Sequence, residues 1–176
     1  MDVLFINPDS SLKAYQDLAK VYSAIEPPTW ALLLAESCRS KGFHVGIMDC
    51  DAEKITIEQS LTRIELLKPR LIVFVVHGQN PNSGTTSMIG ALALAKEIKK
   101  ANMHGKICFV GSHTSALPME VLNHSFVDLV LLNEGVYALH NLLKSNLADD
   151  LVNIRGIGYK KRGPAGFLSP TLNSPQ

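Results

Sequence analysis

The sequence lacks most features that would assign it to a specialised class of protein. Its longest apolar runs, such as WALLLA, are far shorter than the roughly 20 residues that a membrane-spanning helix needs. Neither sign of charge predominates, with 17 Lys and Arg against 16 Asp and Glu, so no basic surface indicates nucleic acid. The N-terminal MDVLFINP reads as a β-strand and lacks the features of a secretory signal. We therefore expect no membrane and no nucleic-acid partner.

Cysteine is also scarce, with three residues at Cys38, Cys50 and Cys108. Their wide, irregular spacing matches no zinc or iron–sulfur motif and no even-numbered disulfide framework. Such cysteines without a secretory signal are typical of a cytoplasmic protein, which is the location we predict. Asp49 and Asp51 stand one residue apart, but no further carboxylate lies close in sequence. We therefore predict no metal bound directly by protein side chains.

The familiar motifs of nucleotide-binding and catalytic α/β proteins are missing. The glycine pattern of a dinucleotide site, the P-loop and the nucleophile elbow of hydrolases are all absent. A phosphoryl-accepting receiver would need an aspartate after the third predicted strand, where this chain has Val76 and His77. The sequence therefore predicts no catalytic residues.

Short apolar runs alternate with amphipathic segments along most of the chain. Strands are predicted at DVLFINP, FHVGIMD, RLIVFVV, KICFVG and VDLVLLN, and a helical segment follows each one. Before the second helix, Thr56 and Gln59 have capping-box spacing. Strict alternation predicts an α/β fold of the flavodoxin-like, or Rossmann-like, class, with a five-stranded parallel sheet and helices on both faces.

The alternation of strand and helix patterns ends near residue 150. We predict an α/β domain over residues 1–150, followed over 151–176 by a C-terminal hairpin and a linker-like tail. The charged cluster Lys160, Lys161 and Arg162 would form the solvated tip of that hairpin.

Polar segments follow every predicted strand. They read NPDSS, DCDAE, HGQNPNSGTT, GSHTS and NEGV. Open parallel sheets bind ligands outside the carboxyl ends of their strands, so these segments mark the candidate site. Glycines there allow close approach of a bulky ligand, and the many amides and hydroxyls suit an amide-rich ligand better than a polyanion. Alternatively, these residues only turn the chain and cap its helices.

Six segments together resemble one known family. They are LFINPDSS, PPTWALLLAESCRSKGFHVGIMDCDAE, QNPNSGTTSM, VGSHTSALPMEVL, VDLVLLNEGVYAL and IRGIGYKKRG, in this order over residues 3–163. This pattern resembles the N-terminal cobalamin-binding domain of cobalamin-dependent radical S-adenosylmethionine (SAM) enzymes, many of which are methyltransferases. The resemblance implies a cobalamin-binding module that presents its cofactor to a radical SAM partner domain, in cis or in trans.

The resemblance also implies which residues would contact the cofactor. The segment 77–85 would pass beneath the corrin ring, 111–115 would line the pocket of the nucleotide tail, and 133–135 would close it. The implied cofactor-binding residues are Asn7, Pro8, His77, Gly78, Gln79, Asn80, Ser83, Gly84, Thr85, Gly111, Ser112, His113, Thr114, Ser115, Asn133, Glu134 and Gly135.

One departure from classical cobalamin carriers concerns the lower cobalt ligand. Those carriers have a D-x-H-x-x-G loop, whereas the corresponding DCDAEKI of this chain has no histidine. We therefore expect binding without a histidine on cobalt, with Gln79 or Asn80 nearest the lower face. His77 and His113 are the two histidines placed to contradict this expectation.

A second departure concerns the radical chemistry. The C-x-x-x-C-x-x-C cluster motif of the family is absent, so SAM and an iron–sulfur cluster would belong to a partner domain outside this sequence. The chain by itself is not expected to be an enzyme. Two alternatives stay open, namely a scaffold of the same fold that binds no corrinoid, and a binder of another nucleotide-like ligand.

Two further residues at the predicted edge have alternative roles. Trp30, the only tryptophan, would either cover the corrin or pack in a core or interdomain contact. It begins a predicted apolar stripe with Leu33, Leu34 and Cys38. Glu134 would either hydrogen-bond the ribose or favour the N-terminus of the next helix.

Overall fold

The computed structural model of the chain describes residues 1–9, 27–77, 81–147, 151–162 and 168–174, with residues 81–86 and 162 described by their backbone alone. The strands are β1 (Val3–Asn7), β2 (Val45–Asp49), β3 (Leu71–Val75), β4 (Lys106–Val110), β5 (Leu129–Leu131), β6 (Ile157–Arg162) and β7 (Leu168–Leu172). The helices are α1 (Thr29–Arg39), α2 (Ile57–Leu67), α3 (Pro81–Lys100), α4 (Ser112–Ala116), α5 (Pro118–Asn123) and α6 (Val136–Lys144), with a short 3₁₀ turn at Leu151–Asn153. No helix among these residues is long and apolar enough to cross a membrane.

All seven strands form one mixed sheet in the order β2-β1-β3-β4-β5-β6-β7. The first five are parallel in the flavodoxin-type order, which confirms the predicted α/β class. The predicted count of five strands was too low for the sheet. Because β6 pairs antiparallel with β5 and β7 with β6, the two C-terminal strands extend the same sheet.

The sheet is buried on both faces, which explains the almost continuous apolar strands. One side packs against α1 and α6 through alternate residues such as Val3, Phe5 and Val73, and the other packs against α2, α3 and α5 through Leu4 and Phe74. Each strand residue therefore removes apolar surface from water on one face or the other.

Helix α2 begins as the sequence predicts. The Thr56 hydroxyl accepts a hydrogen bond from the Gln59 backbone N–H at 3.2 Å, and the Gln59 side chain accepts one from the Thr56 N–H at 2.8 Å. Both halves of the capping box are thus present. The helix ends at Lys68, which has left-handed backbone, directly before Pro69.

Three local expectations were wrong. Helix α3 begins at Pro81, inside the polar segment HGQNPNSGTT and not after it, because proline is pre-organised for the first helical turn. In α1 the buried stripe is Ala31, Leu34, Ala35 and Cys38, whereas Trp30 and Leu33 face outward. Lys160 is also not a solvated tip residue. It is half-buried in β6 and its ammonium donates to the carbonyl of His124 at 2.6 Å, while burial lowers its pKa.

Gly111 ends β4 with a backbone conformation that requires glycine. Its φ is +148°, and a Cβ at this position would clash with the carbonyl oxygen of Val76. Gly42 also has positive φ, at +86°, but a Cβ there would meet nothing within 4 Å. An alanine at Gly42 would introduce backbone strain alone, whereas an alanine at Gly111 would introduce both backbone strain and steric overlap.

We expect Gly111→Ala to reduce the free energy of unfolding by about 3 kcal/mol or more, since it adds steric overlap to backbone strain. Gly42→Ala should cost only about 1–2 kcal/mol, because strain alone is introduced. Urea denaturation of both variants measures the difference. Equal losses would show that the close approach of Gly111 to Val76 is unimportant.

Helices α1 and α6 are joined on one face of the sheet by a partly buried polar pair. The Ser37 hydroxyl and Nε2 of His140 are 2.9 Å apart, and the Tyr137 ring meets the imidazole edge-on at 6.4 Å between centroids. Burial lowers the pKa of His140, the hydrogen bond with Ser37 opposes this shift in part, and the positive charges of Lys41 and Lys144 add to it. The neutral imidazole is therefore the form that the folded protein favours.

Stability should consequently fall as the solution is acidified. The unfolded chain binds a proton at the ordinary histidine pKa of 6.5, while His140 in the folded protein resists protonation until a lower pH. We expect His140→Gln to lose less free energy of unfolding than the wild type between about pH 7.5 and about pH 5. Urea denaturation at several pH values measures the slopes, and parallel slopes would contradict the assignment.

Candidate functional site

The carboxyl ends of the parallel strands bring most of the predicted site residues to one edge of the sheet. Val75 of β3 pairs with Val110 of β4, so His77 and Ser112, each two residues further on, follow neighbouring strand ends. Gly78, Gln79 and Asn80 lie outside the described residues. Ser83, Gly84 and Thr85 belong to the first turns of α3 and not to a loop.

The residues after β1 have structural partners of their own. The Asn7 side-chain amide donates to Oδ1 of Asp49 at 2.8 Å, and the Asn7 carbonyl accepts from the Cys50 backbone N–H. Pro8 is buried. Asn7 thus ties the ends of β1 and β2 together whether or not it contacts a ligand.

The aspartates after β2 show no metal-binding arrangement. Asp49 accepts from Asn7 and from the backbone N–H of Ala52 at 3.1 Å, and Asp51 pairs with Lys54 at 2.8 Å. Across the described part of the chain, no group of three or more His, Cys, Asp or Glu side chains could hold a metal ion.

The segment after β4 contains two hydroxyl groups in an unusual state. Residues 112–116, predicted as part of a loop, form the short helix α4. Ser112 Oγ and Thr114 Oγ1 are buried and find no hydrogen-bond partner among the described residues. An unsatisfied buried hydroxyl costs about 1–3 kcal/mol, so such groups call for a ligand or a bound water.

Ser115 instead donates to the Asn133 carbonyl at 3.5 Å and links this segment to the end of β5. His113 is half-buried.

The residues after β5 mainly determine the backbone conformation and the packing between β5 and α6. Asn133 has a positive φ of 55°, and Gly135, with a φ of 70°, is the N-cap of α6. A Cβ on Gly135 would lie 2.8 Å from the Leu131 Cβ, so glycine is required there for packing. Asn133 and Glu134 are exposed.

His77 carries the third unsatisfied group at this edge. Its Nε2 is buried and has no hydrogen-bond partner within the described ranges. The ring stacks on Trp30, with centroids 4.4 Å apart and planes 20° from parallel. Burial lowers the pKa of His77, and the negative charge of Glu134 opposes this shift only in part. The imidazole is therefore neutral near pH 7.

The Trp30–His77 stack is the feature that sequence reasoning missed. Trp30 is 38% exposed, so its side chain is neither buried in a core nor fully exposed to solvent. The polar segments after β3 and β4 indicated which edge of the sheet carries the candidate site. No pattern in the sequence predicts that the start of α1 contacts the end of β3.

The chemistry of this edge is binding by neutral polar groups. His77, Ser112 and Thr114 offer one imidazole nitrogen and two hydroxyls, which donate or accept as a ligand requires. The arrangement suits amide, hydroxyl or phosphate-ester groups of a large ligand.

A separate groove of about 600 Å³ lies between α1 and β2 and contains none of these three residues. Its walls are largely apolar and include Leu32, Leu33, Val45 and Ile47. Because the polar groups do not converge there, we place the candidate site at the carboxyl edge and not in the groove.

Solved structures of cobalamin-dependent and radical S-adenosylmethionine enzymes share this fold. The cobalamin-dependent S-adenosylmethionine radical enzyme OxsB, with aqua-cobalamin and S-adenosylmethionine bound, has a TM-score of 0.72 and 17% identity over 99% of this chain and 22% of its own. The radical S-adenosylmethionine methyltransferase TsrM from Kitasatospora setae, with cobalamin and a 4Fe–4S cluster bound, has a TM-score of 0.70 and 16% identity over 99% of this chain and 29% of its own. Apo OxsB gives 0.67 and 16% identity, again over 99% of this chain and 22% of its own.

At such identities the likeness establishes the fold, and the chain spans less than a third of the length of these enzymes. No curated protein sequence matches the chain. The family comparison is direct, because the model of the B12 binding domain matches residues 15–143, which is more than half of the sequence. The chain therefore belongs to the B12-binding domain family.

Proposed function

We propose that this chain binds cobalamin at the carboxyl edge of its sheet and presents it to a radical SAM partner domain, in cis or in trans. One observation carries the proposal. Three buried polar groups, on His77, Ser112 and Thr114, find no hydrogen-bond partner among the described residues, and they lie at the carboxyl edge of the sheet in a B12-binding domain. Cobalamin has peripheral amides and a nucleotide tail with ribose and phosphate, and these groups fit the hydroxyls and the imidazole.

Different segments of the chain would contact different parts of the cofactor. Ser112 and Thr114, with the rest of 111–115, would hold the nucleotide tail, and 133–135 would close that pocket. The segment 77–85 would lie beneath the corrin ring. Bound cobalamin would supply cobalt-centred methyl transfer or related radical chemistry. The chain itself would orient the cofactor and exclude other bases from its lower face.

We further propose that no histidine of this chain ligates cobalt. The D-x-H-x-x-G motif is absent, and His77 is already held in its stack with Trp30. This would leave the cobalt free to change its coordination number during the reaction of the partner domain.

The state of the cysteines supports placing the iron–sulfur chemistry in a partner. Cys38, Cys50 and Cys108 are all buried. Burial raises the pKa of the Cys38 thiol to about 12 and that of Cys50 to about 11, and it raises that of Cys108 as well. Cluster ligands must be thiolates, which these surroundings disfavour.

A scaffold that binds no corrinoid is the competing function. It is favoured by the structural reasons that Gly111, Gly135 and Asn7 already have for their identities. It does not explain why the buried hydroxyls of Ser112 and Thr114 find no partner within the described ranges.

The first test is cofactor retention. The purified chain is incubated with hydroxocobalamin, desalted, and examined by visible absorption. We expect a retained corrin spectrum in a near one-to-one amount. A protein that is folded by circular dichroism yet colourless would overturn the proposed function for this chain and favour the scaffold.

The second test separates ligand binding from folding at Thr114. Thr114→Val removes a buried hydroxyl that has no hydrogen-bond partner in the described part of the chain, so the free energy of unfolding of the apo protein should stay unchanged or rise by about 1 kcal/mol. Cobalamin affinity should fall about tenfold, because a hydrogen bond to the cofactor is lost.

The matched control is Ser60, an equally buried hydroxyl that donates to the Thr56 carbonyl at 2.9 Å. Ser60→Ala should lose about 1 kcal/mol of stability and leave cobalamin affinity unchanged. The assignment of Thr114 fails if Thr114→Val is destabilised like the control while its affinity for cobalamin is that of the wild type.

A further inference from the structure

Trp30 lies in the first turn of α1, where the backbone is hydrogen-bonded. The Thr29 backbone N–H donates to the Pro27 carbonyl at 2.7 Å, and the Leu32 N–H donates to that of Pro28 at 2.9 Å, which fixes the first helical turn. Ala31, the next residue, is 1% exposed in the core. The indole is thus attached to an anchored part of the backbone, although it is itself 38% exposed.

His77 is its partner and is chemically competent to bind a metal. A neutral imidazole with an unpaired nitrogen is the commonest metal ligand in proteins. The Nε2 of His77 has no hydrogen-bond partner among the described residues, and the residue directly follows β3 at the proposed cofactor edge. A freely rotating His77 would therefore compete for a cobalt atom at that edge.

The stack restrains this ring. With centroids 4.4 Å apart and planes 20° from parallel, the indole and imidazole rings are stacked, and such contacts between aromatic rings are favourable. Rotation of the imidazole toward a ligand would break this contact. By contrast, Leu33 on the same helix is 57% exposed and takes no part in the stack.

We propose that Trp30 is a positioning residue that holds the His77 ring against α1 and so keeps its nitrogen off the cobalt of a bound corrinoid. This inference rests on the proposed cobalamin binding. It assigns the histidine-off state to a contact within this chain, in addition to the missing D-x-H-x-x-G motif.

The test compares the wild type with Trp30→Ala, Trp30→Phe, Leu33→Ala and the double variant Trp30→Ala/His77→Ala. Each protein is loaded with hydroxocobalamin and reduced anaerobically to the cobalt(II) form. Electron paramagnetic resonance then detects any axial nitrogen through its splitting of the cobalt lines. Labelling the histidines with the heavy nitrogen isotope alters this splitting only when the nitrogen belongs to the protein, and not when it comes from the base of the cofactor.

We expect no label-sensitive splitting in the wild type, in Leu33→Ala or in Trp30→Phe, which keeps an aromatic partner for the imidazole. Trp30→Ala should gain the splitting, and the double variant should lose it again. In the cobalamin-free proteins, an NMR titration should show the pKa of His77 moving back toward its ordinary value in Trp30→Ala, because the ring gains access to water.

Two results would overturn the inference while leaving cobalamin binding intact. One is a wild-type spectrum that already shows the histidine nitrogen, and the other is a Trp30→Ala spectrum identical to that of the wild type. If Trp30→Ala does not fold, Trp30→Leu replaces it with the same expectations. Loss of cobalamin from every variant and from the wild type would instead overturn the proposed function, and the inference with it.

Discussion

Parallel pairing of β1, β3 and β4 is the constraint on which the candidate site depends. Strands that run in the same direction end at the same edge, and their register decides which side chains become neighbours there. The pairing of Val75 with Val110 places His77 beside the segment that begins at Gly111. A shift of one residue would turn the buried side chains of β3 to the opposite face and separate these groups. The apolar cores on both faces therefore fix the position of polar groups that contribute little to folding themselves.

Much of the fold could be predicted because it follows from local patterns. Apolar strands alternate with amphipathic helices, and the Thr56–Gln59 capping box is readable in four residues. Other features were hidden from sequence reasoning. The early start of α3 at Pro81 lies in a segment rich in amides, glycine and hydroxyls, which resembles a loop by composition alone. The pairing of β6 with β5 is a tertiary contact between strands that are distant in sequence, and no local pattern in the sequence predicts it.

The site shows the same division between local and tertiary information. Strand polarity predicts the candidate site at the carboxyl edge of the sheet, and the expectation of cobalamin comes from the resemblance of the ordered segments to a known family. The contacts that give individual residues their roles are tertiary. Trp30 meets His77 and Asn7 meets Asp49 only after the sheet has formed. Glycines illustrate the difficulty most clearly, because Gly111 and Gly135 look like ligand-approach residues in sequence and are required by the backbone in the structure.

The antiparallel strands β6 and β7 determine where the polypeptide arrives after it has crossed the sheet. Since β6 runs against β5 and β7 runs against β6, β7 points in the same direction as the five parallel strands. Asn173 and Ser174 accordingly hydrogen-bond with Ile157 and Gly156, beside the end of β5. A protein fused after residue 174 would thus begin at the proposed cofactor edge and not behind the domain. Even a short tether would then hold a catalytic partner domain over that edge at high effective concentration.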